Sequence, residues 1–216
     1  MMEVAILIFD RFTALDAIGP YEVLRSVPGS TVKFVAKQSG PTRTDAGSLA
    51  VVADYTINDV TAPDIIVVPG GPGQLALMDD EPVLDWVRQA HTTSRWTTSV
   101  CTGSLVLGAA GLLRGLRATT HWLAYDVLAS LGAQPTSERV VVEGKIITAA
   151  GVSAGIDMAL RLVAMEAGEQ IAQSIQLGIE YDPQPPFDAG SPSKAPAEIV
   201  ERMRSRSRFI MQGKSA

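Results

Sequence analysis

An α/β fold with a mostly parallel central sheet flanked by helices is what this sequence predicts, on three observations. Residues 4–9 (V-A-I-L-I-F) and 65–68 (I-I-V-V) are short continuous apolar runs without alternation, as strands covered on both faces of a parallel sheet require. Runs of this kind alternate along the chain with helix-compatible stretches, the pattern of βαβ units. The only cysteine, Cys101, falls where one such strand turns directly into a helix, which is a nucleophile-elbow arrangement.

The elements follow in order. Residues 4–9 form the first strand. In the L-D-A-I-G-P-Y-E-V-L stretch at 15–24, Pro20 suits the first position of a helix running to about Ser26. That placement leaves Asp16 in the loop before the helix. Val32, Phe34 and Ala36 alternate with polar neighbours as a further strand, and the apolar run at 65–68 ends in P-G-G at 69–71. A helix over 82–90, a strand over 96–100 and an apolar helix over 102–110 continue the alternation. Residues 119–131 read as helical. Residues 140–142 and 146–148 flank the turn dipeptide Glu143-Gly144 and predict a hairpin appended to the sheet. Ser153 is placed to cap a helix bearing Ile156, Leu160 and Val163. Five prolines within 182–196 mark a change of character. Beyond them, 197–211 suits a helix with Ile199, Met203 and Ile210 on one face. The chain reads as one domain over 1–216 with a proline-rich C-terminal extension at about 182–216.

Composition narrows the function. Hydrophobic residues make up 46% and charged residues 19%, a profile that folds. A formal net charge of -5 gives no reason to approach nucleic acid or an anionic membrane, so a small-molecule substrate is expected. Arg202, Arg204, Arg206 and Arg208 read as a solvated helix face rather than a nucleic-acid site. No apolar stretch approaches the ~20 residues that cross a bilayer. One cysteine cannot close an internal disulfide, and the N-terminus enters a strand without a basic start or cleavage site. The expectation is a soluble protein of the cytoplasm. No metal-ligand spacing, Walker A motif or G-x-G-x-x-G is present, so no cofactor and no metal are expected.

The candidate site centres on Cys101 in T-T-S-V-C-T-G-S-L-V-L at 97–107. An elbow exposes the side chain at the carboxyl edge of the sheet, where ligands of open α/β folds bind. The following helix start predicts an accessible thiolate near neutral pH. An inert, buried cysteine is the competing reading. Gly70 and Gly71 end a neighbouring strand, and their amides, with the N–H of Thr102, are candidates for an oxyanion pocket; P-G-G is otherwise merely a turn. Asp16 is the candidate acid/base, sharing a proton with the thiol, against the alternative of a surface or capping aspartate. Of the two histidines, His91 falls at a helix end remote from the elbow. His121, in T-T-H-W, remains for a Cys–His pair or for packing beside Trp122.

These residues resemble the ThiJ/PfpI superfamily, with its class I glutamine-amidotransferase-like fold, and within it the isocyanide hydratases. The resemblance covers nearly the whole chain. It is carried by L-D-A-I-G-P at 15–20, P-G-G at 69–71, S-V-C-T-G-S-L-V-L-G-A-A-G-L-L at 99–113, A-T-T-H-W at 118–122, G-V-S-A-G-I-D at 151–157 and E-Y-D-P-Q-P-P-F-D-A-G-S-P at 180–192. The sequence departs from the hydratase pattern at Ala149-Ala150, ahead of Gly151. The resemblance implies a flavodoxin-like three-layer sandwich, a homodimer, Cys101 as nucleophile with Asp16 beside it, and Thr102 after the cysteine where peptidase relatives carry histidine. It implies hydration of isocyanides to N-substituted formamides through a covalent Cys101 thioimidate. A ligand or oxidation sensor akin to the sensor half of AraC-type regulators, and a thiol enzyme acting on glyoxals, are the alternatives.

Overall fold

Strand β1 (Met2–Leu7) lies inside a seven-stranded sheet in the computed structural model, which describes residues 2–207. Its neighbours are β2 (Ser30–Ala36) and β6 (Ile65–Val68), both parallel to it. Val4, Ala5, Ile6 and Leu7 are inaccessible or nearly so, which is why the run lacks alternation. Each fully buried Val, Ile or Leu contributes about 1.5–3 kcal/mol relative to its exposed state.

The sheet continues from β6 to β7 (Trp96–Val100), β11 (Ile146–Ala149) and the antiparallel edge strand β10 (Val140–Glu143). At the other edge, β2 pairs with β5 (Tyr55–Thr56). The hairpin around Glu143-Gly144 is therefore present, with β11 parallel to β7. Two elements lie outside the sheet: the antiparallel pair β3 (Gly40–Arg43) and β4 (Ala50–Ala53), and the short pair β8 (Arg117–Ala118) and β9 (Gln134–Pro135).

One helical layer holds α1 (Ala14–Leu24), α6 (Ala154–Ala167) and α7 (Glu169–Gly178), packed in that sequence. The other is organised around α4 (Gly103–Ala109), which touches α2 (Gln74–Leu77), α3 (Glu81–Thr93) and α5 (Tyr125–Ser130). The result is the expected flavodoxin-like sandwich. Helix α8 (Ala197–Ser205) follows the proline-rich stretch and ends at Arg206, short of the helix expected to 211, whose residues 208–211 lie outside the described residues. Among the described residues, no helix is long and apolar enough to cross a membrane.

Three local expectations need correction. Helix α1 starts at Ala14 and carries Pro20 inside it, so Asp16 occupies its first turn rather than a preceding loop. The proline ring packs on α6 at Gly155, where an added Cβ would lie 3.2 Å from Pro20 Cδ. Residues 119–121 belong to no helix or strand, and a 3-10 turn at Trp122–Ala124 precedes α5. Ser153 sits at the cap position of α6, but its hydroxyl accepts from Arg139 Nη2 at 3.2 Å and makes no capping bond.

Candidate active site

The adjacent strands β11, β7, β6 and β1 are parallel and end together: Ser99 pairs with Val68 on one side and with Thr148 on the other. Their carboxyl ends deliver Val152, Cys101, Gly70 and, through the loop after β1, Asp16. This is the edge where the chain leaves β1 in both directions across the sheet, the switch point at which open α/β folds bind ligands.

Cys101 adopts φ +57°, a left-handed conformation that costs a non-glycine residue roughly 1–2 kcal/mol. Four hydrogen bonds hold it there. Its N–H is shared between the carbonyls of Ala149 (3.1 Å) and Ala150 (2.9 Å). Its carbonyl accepts from Ser104 Oγ (3.2 Å) and Thr120 Oγ1 (3.0 Å). Only backbone atoms of Ala149 and Ala150 are used, so alanine serves at both positions. Gly103 is required two residues on: a Cβ there would stand 2.0 Å from the Val68 carbonyl oxygen, and its absence lets α4 start against β6. The elbow is thus a product of strand pairing, side-chain hydroxyls and one small residue.

Asp16 has no solvent exposure. Its Oδ2 accepts from Gly70 N at 2.9 Å, while Oδ1 is buried without a hydrogen-bond partner among the described residues. The carboxyl and the Cys101 thiol are coupled, each acting on the other's protonation. Burial pushes the Asp16 carboxyl up to about 7, against the opposing pull of the Gly70 amide and the thiol. Burial, then the Asp16 charge, pushes the Cys101 thiol up to about 12; the backbone amides of Val152 and Thr102 at the sulfur pull the other way and lose. Burial thus opposes charge on both groups, and the helix start that favours a thiolate works against it. Between those two values the pair keeps one proton.

Gly70 and Gly71 do not present an oxyanion pocket in this geometry. The Gly70 amide is aimed at Asp16, and the Gly71 amide donates to Thr102 Oγ1 at 3.1 Å. They hold the acid and the threonine in place. Gly70 also has no room for a side chain, since a Cβ would lie 2.5 Å from Thr102 N and 3.0 Å from Asp16 Oδ2. Gly71 has φ +130°, open to glycine alone.

A cavity of about 230 Å³ opens over the sulfur, lined by Cys101, Thr102 and Gly71 together with His121, Leu123, Val152 and others. His121 reaches this crevice, with its Nδ1 accepting from Leu123 N at 3.3 Å and its ring stacked on Trp122. The groups acting on the Cys101 sulfur are Asp16 and the amides of Val152 and Thr102. His91 lies away from the site, bonded through Nδ1 to Thr97 Oγ1 at 2.8 Å. Sequence reasoning missed Val152 as a partner of the sulfur. The signal was available in the apolar run at 146–149, which as a neighbour of the Cys101 strand brings the next turn to the same edge.

The DJ-1/PfpI family model matches residues 2–165. The chain belongs to the DJ-1/PfpI family. Among curated relatives of this DJ-1/PfpI protein is the isonitrile hydratase of Pseudomonas putida, 47% identical over 205 residues, covering 95% of this chain and 90% of the relative. A ThiJ/PfpI family protein from Pseudomonas syringae has a crystal structure that superposes with a TM-score of 0.91. It is 41% identical, with 94% of this chain and 85% of that one covered. The HTH-type transcriptional regulator CdhR of Pseudomonas aeruginosa is 32% identical over 74% of this chain, which spans only 48% of the regulator.

Proposed function

We propose that this DJ-1/PfpI protein is an isocyanide hydratase, converting isocyanides to N-substituted formamides with Cys101 as nucleophile and Asp16 as acid/base. The observation that carries this is the buried Cys101–Asp16 pair, in which each group acts on the other's protonation, in a chain 47% identical to an isonitrile hydratase over nearly its whole length. The terminal carbon of an isocyanide must gain both a sulfur and a hydrogen. A thiol beside a carboxylate that relays its proton supplies both, whereas a free thiolate would supply only the first.

In the first step the thiol proton passes to the Asp16 carboxylate as sulfur bonds to the terminal carbon of R–N≡C. Asp16 returns that proton to the same carbon, giving the thioimidate R–N=CH–S–Cys101. The amides of Val152 and Thr102 receive the charge that develops on sulfur. In the second step water adds to the thioimidate carbon; Asp16 takes one water proton and passes it to nitrogen. Collapse breaks the C–S bond, leaves R–NH–CHO and returns the sulfur and its proton. One water is consumed, and no redox change occurs. Thr102 and the Gly70–Gly71 turn keep the two reacting groups in register.

The lone cysteine has to remain a thiol, which suits a reducing, cytoplasmic compartment, and a homodimer without nucleic-acid or membrane partners completes the reading. The sensor alternative has weaker support, since the matched part of CdhR is under half of that regulator. Purified protein is expected to form formamides from a panel of alkyl and aryl isocyanides, and Cys101→Ala to form none. Full activity in Cys101→Ala would exclude the covalent route. Aldehyde turnover without isocyanide turnover would select the glyoxal reading instead.

A further inference from the structure

We infer that the C-terminal extension forms a wall of the Cys101 cavity, and that Ser207 in this wall is a specificity-determining residue for the substituent of the isocyanide. This deepens the proposed function and rests on it. The family match ends at residue 165, and every described residue lining the cavity falls within it except Ser207. Ser207 is a polar residue close to the end of the described chain, yet it is only 5% exposed.

The extension is fixed at both ends. At its start, the Tyr181 hydroxyl reaches the two carboxylate oxygens of Asp157, each at 3.2 Å, in the first turn of α6. Arg139 Nε grips the same carboxylate at 2.7 Å. At its far end, α8 buries Val200, and its Ile199 and Met203 face Trp122 across a small gap. The Arg204 guanidinium lies 5.8 Å from the centroid of the Trp122 ring, a cation–π contact. Trp122 in turn stacks on His121, itself a cavity residue. The Ser207 amide then donates to the Arg204 carbonyl at 3.0 Å, closing the turn that brings Ser207 to the cavity. Arg204 thus acts as a positioning residue.

Chemistry gives the wall its task. An isocyanide is linear at nitrogen, so once its carbon lies at the sulfur the substituent must be housed by the remaining walls. In a cavity of about 230 Å³, a change in one wall alters which substituents fit, and in a close-fitting pocket one methylene changes relative rates by about tenfold or more.

The test uses the full chain and two ratios of rates, large over small. The first is kcat/KM for cyclohexyl isocyanide against methyl isocyanide. The second is the rate of alkylation by N-phenylmaleimide against iodoacetamide, read by mass, which reports on Cys101 alone because the chain has no other cysteine. Ser207→Phe is expected to lower both ratios about tenfold or more. Arg204→Ala, by freeing the wall from Trp122, is expected to raise both. If both variants keep the wild-type circular dichroism and neither ratio moves by more than about twofold, the wall is excluded, whether or not the wild type forms formamides. If the alkylation ratios shift as expected while the wild type forms no formamide, the wall stands and the isocyanide substrate falls.

Discussion

Cys101 and Asp16 carry two unfavourable features at once: a left-handed backbone at the cysteine and a carboxyl with no exposure. Neither contributes to stability, and in the proposed mechanism both serve a proton that moves between sulfur and oxygen. The sign of the pH dependence follows. Below about 7 the pair holds two protons and Asp16 cannot accept the thiol proton; above it, up to about 12, one proton is held. Accordingly kcat/KM for isocyanide hydration should rise through about pH 7 and stay level to at least pH 9. Asp16→Asn should abolish that rising limb and lower kcat by about 10²-fold or more, the scale of a positioned proton-transfer group. A variant with wild-type kcat and an unchanged limb would reduce Asp16 to a structural residue.

At the scale of elements, glycines decide how closely the site's turns approach. Gly70→Ala would drive a Cβ to 2.5 Å from Thr102 N, so either the turn or α4 must retreat, and the Asp16 anchor is lost with it. The expected outcome is a drop of at least tenfold in activity and a destabilisation of about 1–3 kcal/mol, as overpacking gives. Gly178→Ala is the control: nothing lies within 4 Å of its Cβ position at the end of α7, and it should raise stability by up to ~1 kcal/mol. Urea unfolding and formamide assays on both variants read this directly. The strands around the site were legible because Val4, Ile6, Ile65 and Val68 are buried on both faces, so continuous apolarity matches their environment. The β3–β4 pair and α7 were not legible. The first carries exposed Val52 in a strand of small residues, and the second is a mostly polar helix buried through Ala172 and Ile175. Helix α1 was misplaced because Pro20 reads as a start when its neighbours on α6 are unknown. Cys101, Asp16 and the glycine turn were read correctly as neighbours at one edge. The larger part of the thiol's upward shift was not legible, since it comes from burial that only the assembled layers create.

Across the whole molecule, the site draws on residues 16, 70, 101 and 152, so its groups meet only when four strands are assembled, and their cost is levied on global stability. Asp16 has an unfolded value near 3.8 and a folded value of about 7. Below pH 3.8 it is protonated in both states and adds nothing. Between the two values the native state keeps a proton that the unfolded chain releases, so stability falls as pH rises, and above pH 7 the full penalty, on the order of 4 kcal/mol, is present. The amide that Asp16→Asn introduces has no proton to lose. Any constant gain or loss from that amide, including its own bond with the Gly70 N–H, is the same at every pH and cancels when two pH values are compared. Urea unfolding at pH 5 and pH 8 should therefore show Asp16→Asn gaining on the wild type by about 2–3 kcal/mol between the two. Cys101 adds little, because its ordinary value of 9.0 leaves the unfolded thiol mostly protonated at pH 8 and burial, the largest influence on it, opposes ionisation in the fold. A difference that stays flat from pH 5 to pH 8 would mean that the carboxyl ionises in the folded protein as it does in the unfolded chain, and the rise of kcat/KM through about pH 7 would have no basis.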